Sequence, residues 1–325
     1  MKCFRIYFLT LGLLVAMLPS LANSQTFPNK QVVRLIVPFA PGGTTDLLAR
    51  VIAGKMGSAL GQTVIVENKA GAGGAIGASE VSKAAPDGYT LLMSSVSTMA
   101  TNPAINPKTP YDPNNDFVHV INVAATPNVI AVHPSFASKD YKSFLAQLRK
   151  EPGKNSYASA GPGSIGHLLA EVYKSEVKVY LTHIPYRGSG PALNDAVAGQ
   201  VDIVVDNLPT SLPFILDKRL VPIVVAAPKR LAQLPNVPTF SEVGLASVNR
   251  MSFLGISAPK GTPKEVVDKL NAATKAALAD ASVKERIEAT GALVVGNSAA
   301  EYQKQIKDEF EIYKRVVKDQ GLKLD

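Results

Sequence analysis

The sequence predicts an α/β protein of two domains with largely parallel sheets, and three observations carry that expectation. Short β-branched runs alternate with segments of helical periodicity. Glycine-rich turns stand where each strand would hand over to a helix. The chain has 325 residues, 46% of them hydrophobic, and single cores stop growing near about 250–300 residues.

The first 24 residues follow another grammar. Lys2 and Arg5 precede an apolar block from Ile6 to Leu18, which Pro19 and the small-residue patterns Ser20-Leu21-Ala22 and Ala22-Asn23-Ser24 close. These are the three regions of a secretory signal peptide. The 13-residue block falls short of the roughly 20 residues a membrane span needs. Cys3 lies ahead of the block and away from the cleavage patterns, so no lipoprotein is expected. It is also the only cysteine, which leaves the exported chain without disulfides or thiolate chemistry.

The first βα unit is Val32 to Val37, then Pro38-Phe39-Ala40-Pro41-Gly42-Gly43-Thr44-Thr45-Asp46, then Leu47, Leu48, Val51, Ile52 and Met56 at helical spacing. The pattern recurs. Thr63 to Glu67 leads into Ala70 to Ala75 and a helix reaching Ala84, and Tyr89 to Ser94 leads into Ser95-Val96-Ser97-Thr98. Asn155 to Ser159 leads into Ala160-Gly161-Pro162-Gly163-Ser164 and a helix from Ile165. Val179 to Ile184 leads into Pro185 to Pro191, with a helix over Ala192 to Ala198. Val201 to Val205 ends at Asp206-Asn207. Thr101 to Phe117, crowded with proline and asparagine, and Pro235 to Gly244 read as joints. Phe253 to Ser257 reads as an extended run. Thr262-Pro263-Lys264-Glu265 and Ser298-Ala299-Ala300-Glu301 read as capping boxes. Tyr302, Ile306, Phe310, Tyr313 and Val317 form a core-facing stripe that Gly321 terminates.

The formal charge of +8 falls to +6 without Lys2 and Arg5, and the cations are scattered among the acids. That argues against nucleic acid and is compatible with an attraction for small anions.

Among the turns, Gly42-Gly43 with Thr44, Thr45 and Asp46 is the strongest binding candidate. Adjacent glycines bring backbone close to a ligand and expose N–H groups at a helix start, where the macrodipole favours an anion. A tight turn capped by Thr44 or Asp46 is the plainer alternative. Repetition of such turns favours binding, because open α/β sheets take ligands at the carboxyl ends of their strands. The turn from Ser159 to Ser164 ranks second.

Catalytic patterns fail in detail. Ile76 stands where a dinucleotide fingerprint needs glycine, and no turn ends in the Gly-Lys-Ser/Thr of a P-loop. Pro162 replaces the first glycine of a nucleophile elbow around Ser164. His119, His133, His167 and His183 have no metal-ligand spacing and read as structural or surface histidines. No cofactor or metal is expected.

Several motifs in order carry a resemblance over essentially the whole exported chain. They are Arg34-Leu35-Ile36-Val37-Pro38-Phe39, Pro41 to Asp46, Val66-Glu67-Asn68-Lys69-Ala70-Gly71-Ala72-Gly73-Gly74 and Pro86-Asp87-Gly88-Tyr89-Thr90. Pro185-Tyr186-Arg187-Gly188, Val237 to Glu242 and Ala258 to Pro263 follow. The chain resembles the Bug family, the solute-binding proteins of tripartite tricarboxylate transporters. Phe253 departs from it, standing where the family often has tryptophan.

The resemblance implies a type II periplasmic-binding-protein fold, with a ligand cleft between two α/β domains joined by two crossings. Domain 1 would hold residues 25–125 and 250–325, and domain 2 residues 126–249, behind a signal peptide of residues 1–24. It implies a non-catalytic periplasmic monomer that captures a small carboxylate, with a membrane permease of the tripartite type as a further partner. The carboxylate would lie between Phe39, Ala40, Gly42, Gly43, Thr44 and Thr45 on one side and Ser159, Ala160, Gly161, Gly163 and Ser164 on the other. Ser95, Ser97, Thr98, Tyr186, Arg187, Gly188 and Asp206 would read the far end. Asp206 would pair with a ligand amine or hydroxyl, with a helix-capping or surface role as its alternative; Arg187 would meet a second carboxylate. Dicarboxylates, tricarboxylates, amino acids and aromatic acids all satisfy such an anchor. The alternative function is an exported α/β hydrolase using Ser164 or Ser189.

Overall fold

The computed structural model describes residues 27–324; the signal segment of residues 1–24 lies outside them. The chain builds two mixed sheets. The six-stranded sheet runs β11-β4-β10-β3-β1-β2 and the five-stranded sheet β7-β6-β8-β5-β9.

In the first, β1 (Val33–Val37) pairs in parallel with β2 (Val64–Asn68) and β3 (Thr90–Ser95). Helix α1 (Thr44–Leu60) follows β1, and α2 (Ala75–Ser82) follows β2. A π-helical turn, Ser97–Thr101, runs into the short α3 (Asn102–Ile105). Then β4 (Phe117–Thr126) enters at the far side of the sheet.

One residue, Pro127, separates β4 from β5 (Asn128–Val132), the first strand of the other sheet. There α4 (Tyr141–Lys150), β6 (Ser156–Ser159), α5 (Ile165–Val177), β7 (Thr182–Pro185), α6 (Ser189–Val197), β8 (Ile203–Asn207), α7 (Leu208–Leu216) and β9 (Val221–Ala226) follow in turn. The chain returns over residues 227–251 to β10 (Ser252–Pro259), which lies antiparallel between β3 and β4. Helices α8 (Lys264–Ala279) and α9 (Ala281–Glu288), the two-residue β11 (Leu293–Val294) and α10 (Ala299–Asp319) complete the first half.

The sheets are therefore less parallel than expected. Every antiparallel pair involves β10, β5 or the edge strand β11, and β10 and β5 are the strands by which the chain enters a sheet from the other half. The stretch Thr101 to Phe117 is not a crossing. Its prolines and asparagines belong to α3 and to turns in which Asp112 Oδ1 accepts the amides of Asn114 and Asn115. The crossings at Pro127 and Arg250 are tied together by Asn207 Nδ2, which donates to Asn128 Oδ1 at 2.6 Å and to Ser252 Oγ at 3.1 Å, while Asn128 Nδ2 donates to the Arg250 carbonyl.

Local signals explain the helix ends. Ser298 and Glu301 form the full capping box of α10, and Leu322 N to Val317 O with Gly321 N to Lys318 O closes it. The box read at Thr262 is absent: Pro263 sits at the N-cap, and Thr262 Oγ1 donates to the Pro259 carbonyl instead. Tyr302, Ile306 and Tyr313 are buried, and Phe310 and Val317 pack beside them. Below α10 a polar ladder crosses the core. Tyr302 Oη meets Ser94 Oγ at 2.9 Å, Ser257 Oγ donates to Ser94 Oγ, and His119 Nδ1 meets Ser257 Oγ. Burial lowers His119 to about 4 against a hydrogen bond with Pro113 O, so it is a neutral structural residue.

Candidate ligand-binding cleft

The site begins with the turn after β1. Gly42 takes φ +84°, a left-handed conformation costly for other residues, and its amide donates to Asp46 Oδ2. Asp46 also receives Arg50 Nε at 3.0 Å and Asn68 Nδ2 at 2.9 Å on Oδ1. It thus props the turn from below and is unavailable to a ligand. The amides of Gly43, Thr44 and Thr45, at the open start of α1, find no acceptor among the described residues.

Burial pushes the Asp46 carboxyl up, but the bonds from Arg50, Asn68 and Gly42 outweigh it and hold it below the ordinary carboxylate range. Its stabilising contribution is complete above about pH 4, the unfolded value, and is lost as pH falls through the lower folded value. Asp46→Asn is expected to cost about 2 kcal/mol at pH 7, with the gap to the native protein narrowing below pH 4. Urea unfolding across that range checks this; a gap constant with pH would contradict it.

The second turn is more self-contained. Gly161 N donates to Ser159 Oγ, Gly163 N to His167 Nδ1 and His167 N to Ser164 Oγ, so Ser164 is the N-cap of α5. Beneath it the His167 and His183 rings stack at 4.2 Å, and His183 Nε2 meets Ser159 Oγ at 2.7 Å. Burial, with nearby His167 and Lys174, lowers His183 to about 3, so this support is uncharged at neutral pH.

The two halves touch through these turns. Ala40 N donates to the Arg187 carbonyl at 3.1 Å, Thr101 Oγ1 to the Gly163 carbonyl at 2.7 Å, and Ile165 N to Ser97 Oγ at 3.0 Å. Thr44 Oγ1 meets Thr210 Oγ1 at 2.9 Å. Between them lies a narrow cleft. Phe39, Gly43, Thr44, Thr45, Ser95, Ser97, Ala160 and Asp206 line it as expected from sequence.

The remaining sequence candidates stand back from this lining. Gly42, Ser159, Gly161, Gly163 and Ser164 shape the turns. Ala40, Arg187 and Gly188 meet across the halves through backbone, with the Arg187 side chain exposed. Thr98 Oγ1 bonds within its own turn, and Tyr186 Oη donates to Asp195. Val96 and Ser189 also line the cleft, from the Ser94 to Thr98 and Tyr186 to Gly190 turns that the sequence placed at the far end of the ligand, whereas Ile165, Gly166, Asn207, Ser252, Phe253 and Leu254 were not expected there. Phe253 was in view as the departure from tryptophan. Nothing local in the other apolar residues marks them as cleft rather than core.

Four helix starts meet here: Thr44 of α1, Ile165 of α5, Ser189 of α6 and Asn207 before α7. Asp206 is the sole charged residue in the lining, and no lysine or arginine joins it. Burial pushes its carboxyl upward against bonds from Ser189, the Asn207 amide and Thr210. Ser189 Oγ donates to Asp206 Oδ1 at 2.5 Å, with no histidine in the lining. The geometry suits an anion and offers no activated nucleophile.

Comparison with known proteins decides the family. The pattern described as the tripartite tricarboxylate transporter family receptor matches residues 48–322. The chain belongs to that family. It is 37% identical over 310 residues to the UPF0065 protein in the tcbD-tcbE intergenic region of Pseudomonas sp. strain P51, covering 94% of this chain and 92% of that one. It is 35% identical over 303 residues to the protein BugT of Bordetella pertussis, covering 93% of each. A solved periplasmic transporter superposes with TM-score 0.90 at 48% identity, covering 92% of this chain and all of that one. MatC from Rhodopseudomonas palustris with bound malate gives 0.86 at 34%, covering 89% and 99%. An R. palustris protein with adipate gives 0.86 at 35%, covering 90% and 98%. The family and fold expected from the sequence hold, and the fold is that of type II periplasmic binding proteins. Members of this receptor family bind solutes and are not enzymes, so the hydrolase alternative falls. Among the described residues no helix is long and apolar enough to cross a membrane.

Proposed function

We propose that this chain is a periplasmic receptor that captures a small carboxylate in the cleft and presents it to a membrane permease of the tripartite type. The observation that carries this is the convergence of four helix starts on a cleft without a cation. Each start favours a negative charge by roughly 0.3–2 kcal/mol, and each amide bond to a carboxylate adds about 1.5–3 kcal/mol. The unpartnered amides of Gly43, Thr44 and Thr45 anchor the carboxylate. Gly166, whose amide also finds no acceptor among the described residues, faces it from α5. Hydroxyls of Ser95, Ser97 and Ser189 read the rest, against the apolar wall of Phe39, Val96, Ile165 and Phe253. Malate and adipate in the two R. palustris relatives are ligands of this class.

Closure moves residues 25–125 with 250–325 against residues 126–249, about the crossings at Pro127 and Arg250. Gly73 tests this motion. A Cβ there would lie 2.1 Å from the Pro162 carbonyl oxygen in the facing half. Gly73→Ala is expected to weaken ligand capture about tenfold or more, since such overpacking costs about 1–3 kcal/mol. Calorimetric titration reads the change, and unchanged affinity would refute closure at this contact.

The function itself is tested on the chain from residue 25, titrated with malate, adipate and other carboxylates by calorimetry and thermal shift. The chain has no tryptophan to report binding by emission. A ligand at 100 times its Kd adds about 2.7 kcal/mol of stability. Absence of heat and of stabilisation with every carboxylate would overturn the proposal.

A further inference from the structure

We propose that Asp206 is a positioning residue that fastens the closed cleft, and not the counter-ion of a ligand amine; this rests on the carboxylate-capture function proposed above. The carboxyl sits at the end of β8 and is 5% exposed. Its two oxygens are both engaged: Oδ1 accepts Ser189 Oγ at 2.5 Å and Oδ2 accepts Thr210 Oγ1 at 3.0 Å. Thr210 in turn meets Thr44 Oγ1 at 2.9 Å.

A hydroxyl has one proton. Thr210 gives its proton to Asp206, so Thr44 must donate to Thr210. The result is a directional chain from α1 on the first half, through α7, to β8 on the second, with Ser189 of α6 joining from the other side. Thr44 and Thr210 are nearly buried, at 1% and 8% exposure, which limits exchange of these bonds with water. Two consequences follow for the ligand. The Thr44 hydroxyl proton points away from it, leaving the Thr44 amide as that residue's donor. Each Asp206 oxygen already accepts a hydroxyl proton, so Asp206 acts on the ligand by holding Ser189 and Thr44 in place.

A counter-ion and a fastener differ in which ligands they affect. Malate and aspartate differ by a hydroxyl against an ammonium, so they serve as the paired probes. Asp206→Asn, Thr44→Val and Thr210→Val are each expected to weaken malate and aspartate equally, roughly fivefold for Thr44→Val, which removes one hydrogen bond, and at least that for the other two, which disturb two. Thr210→Ser keeps the hydroxyl and should restore native affinity. Thr44→Val with Thr210→Val should lose no more than Thr210→Val alone, because that variant already breaks the Thr44–Thr210 bond. Selective loss of aspartate in Asp206→Asn, with malate unaffected, would overturn the proposal.

A second readout does not depend on either probe binding. Ser58→Cys and Leu216→Cys place spin labels on α1 and α7 of the chain from residue 25, which has no other cysteine. Distances measured without ligand and with malate should show a longer population in Thr210→Val and Thr44→Val than in the native chain or Thr210→Ser. Distributions that coincide in both conditions would overturn the fastener. If neither probe binds while the distances shift as expected, the fastener stands and the carboxylate assignment alone loses support.

Discussion

Gly43→Val is expected to leave the protein folded and to lower carboxylate affinity about a hundredfold or more. Gly43 has φ −90° and ψ 169°, which valine adopts without strain, and as N-cap of α1 it has no side-chain cap to lose. A poorer N-cap residue costs about 1 kcal/mol, which a chain with this much buried core tolerates. The cleft is another matter. A Cβ at Gly43 would stand 3.3 Å from Ser189 Cβ across the opening, and the valine methyls beyond it would cover the amides of Thr44 and Thr45. Losing two amide bonds to a charged group removes about 3–6 kcal/mol. Calorimetric titration with whichever carboxylate binds the native chain, beside an unfolding curve, separates lost affinity from lost fold. Undiminished affinity would refute the anchoring role of this turn.

Gly255→Val should cause the largest loss of stability. Gly255 lies in the middle of β10, where a Cβ would come within 2.3 Å of the Ile121 carbonyl oxygen and 2.5 Å of Tyr302 Cζ. The first is backbone of the neighbouring strand β4, so relief requires breaking the β4–β10 pairing. The second is a buried ring that Ser94 holds at its hydroxyl. Overpacking of about 1–3 kcal/mol adds to the roughly 1 kcal/mol of the Tyr302–Ser94 bond and to disrupted ladder bonds. A loss of about 3–5 kcal/mol is expected in urea unfolding. A loss under about 1 kcal/mol would show that the sheet yields at this point.

The βα turns were legible because glycine leaves a mark wherever backbone must bend or approach closely; Gly42 at φ +84° and Gly163 at φ +75° bear that out. Four strands left no comparable mark, the two-residue β11 among them. In β4 the buried polar residues His119 and Asn122 interrupt the apolar run. β5 is buried throughout, and β9 follows it on the sheet edge without a glycine turn between strand and helix to announce it. The crossing at Pro127 is one residue long, while the proline-rich stretch before it serves only local turns. In the site, the first glycine turn stood out as a binding candidate through the recurrence of such turns, since its local sequence fits a plain capped turn equally well. Partners were not legible. That Asp46 props the turn, and that Ala40 N is occupied by the Arg187 carbonyl, depends on segments more than a hundred residues apart or on side chains that face inward.

The place of β10 between β3 and β4 also dictates an order of assembly. Every strand of the five-stranded sheet lies within residues 128–226, so that sheet closes as soon as this stretch is available. The six-stranded sheet has its central position empty until residues 252–259 arrive. The pairings of β10 join residues far apart in the chain, from Ser252 with Thr126 to Ser257 with Leu92, and such contacts form slowly. The middle of the sequence therefore matures first, and the half that begins the chain is the last to be finished.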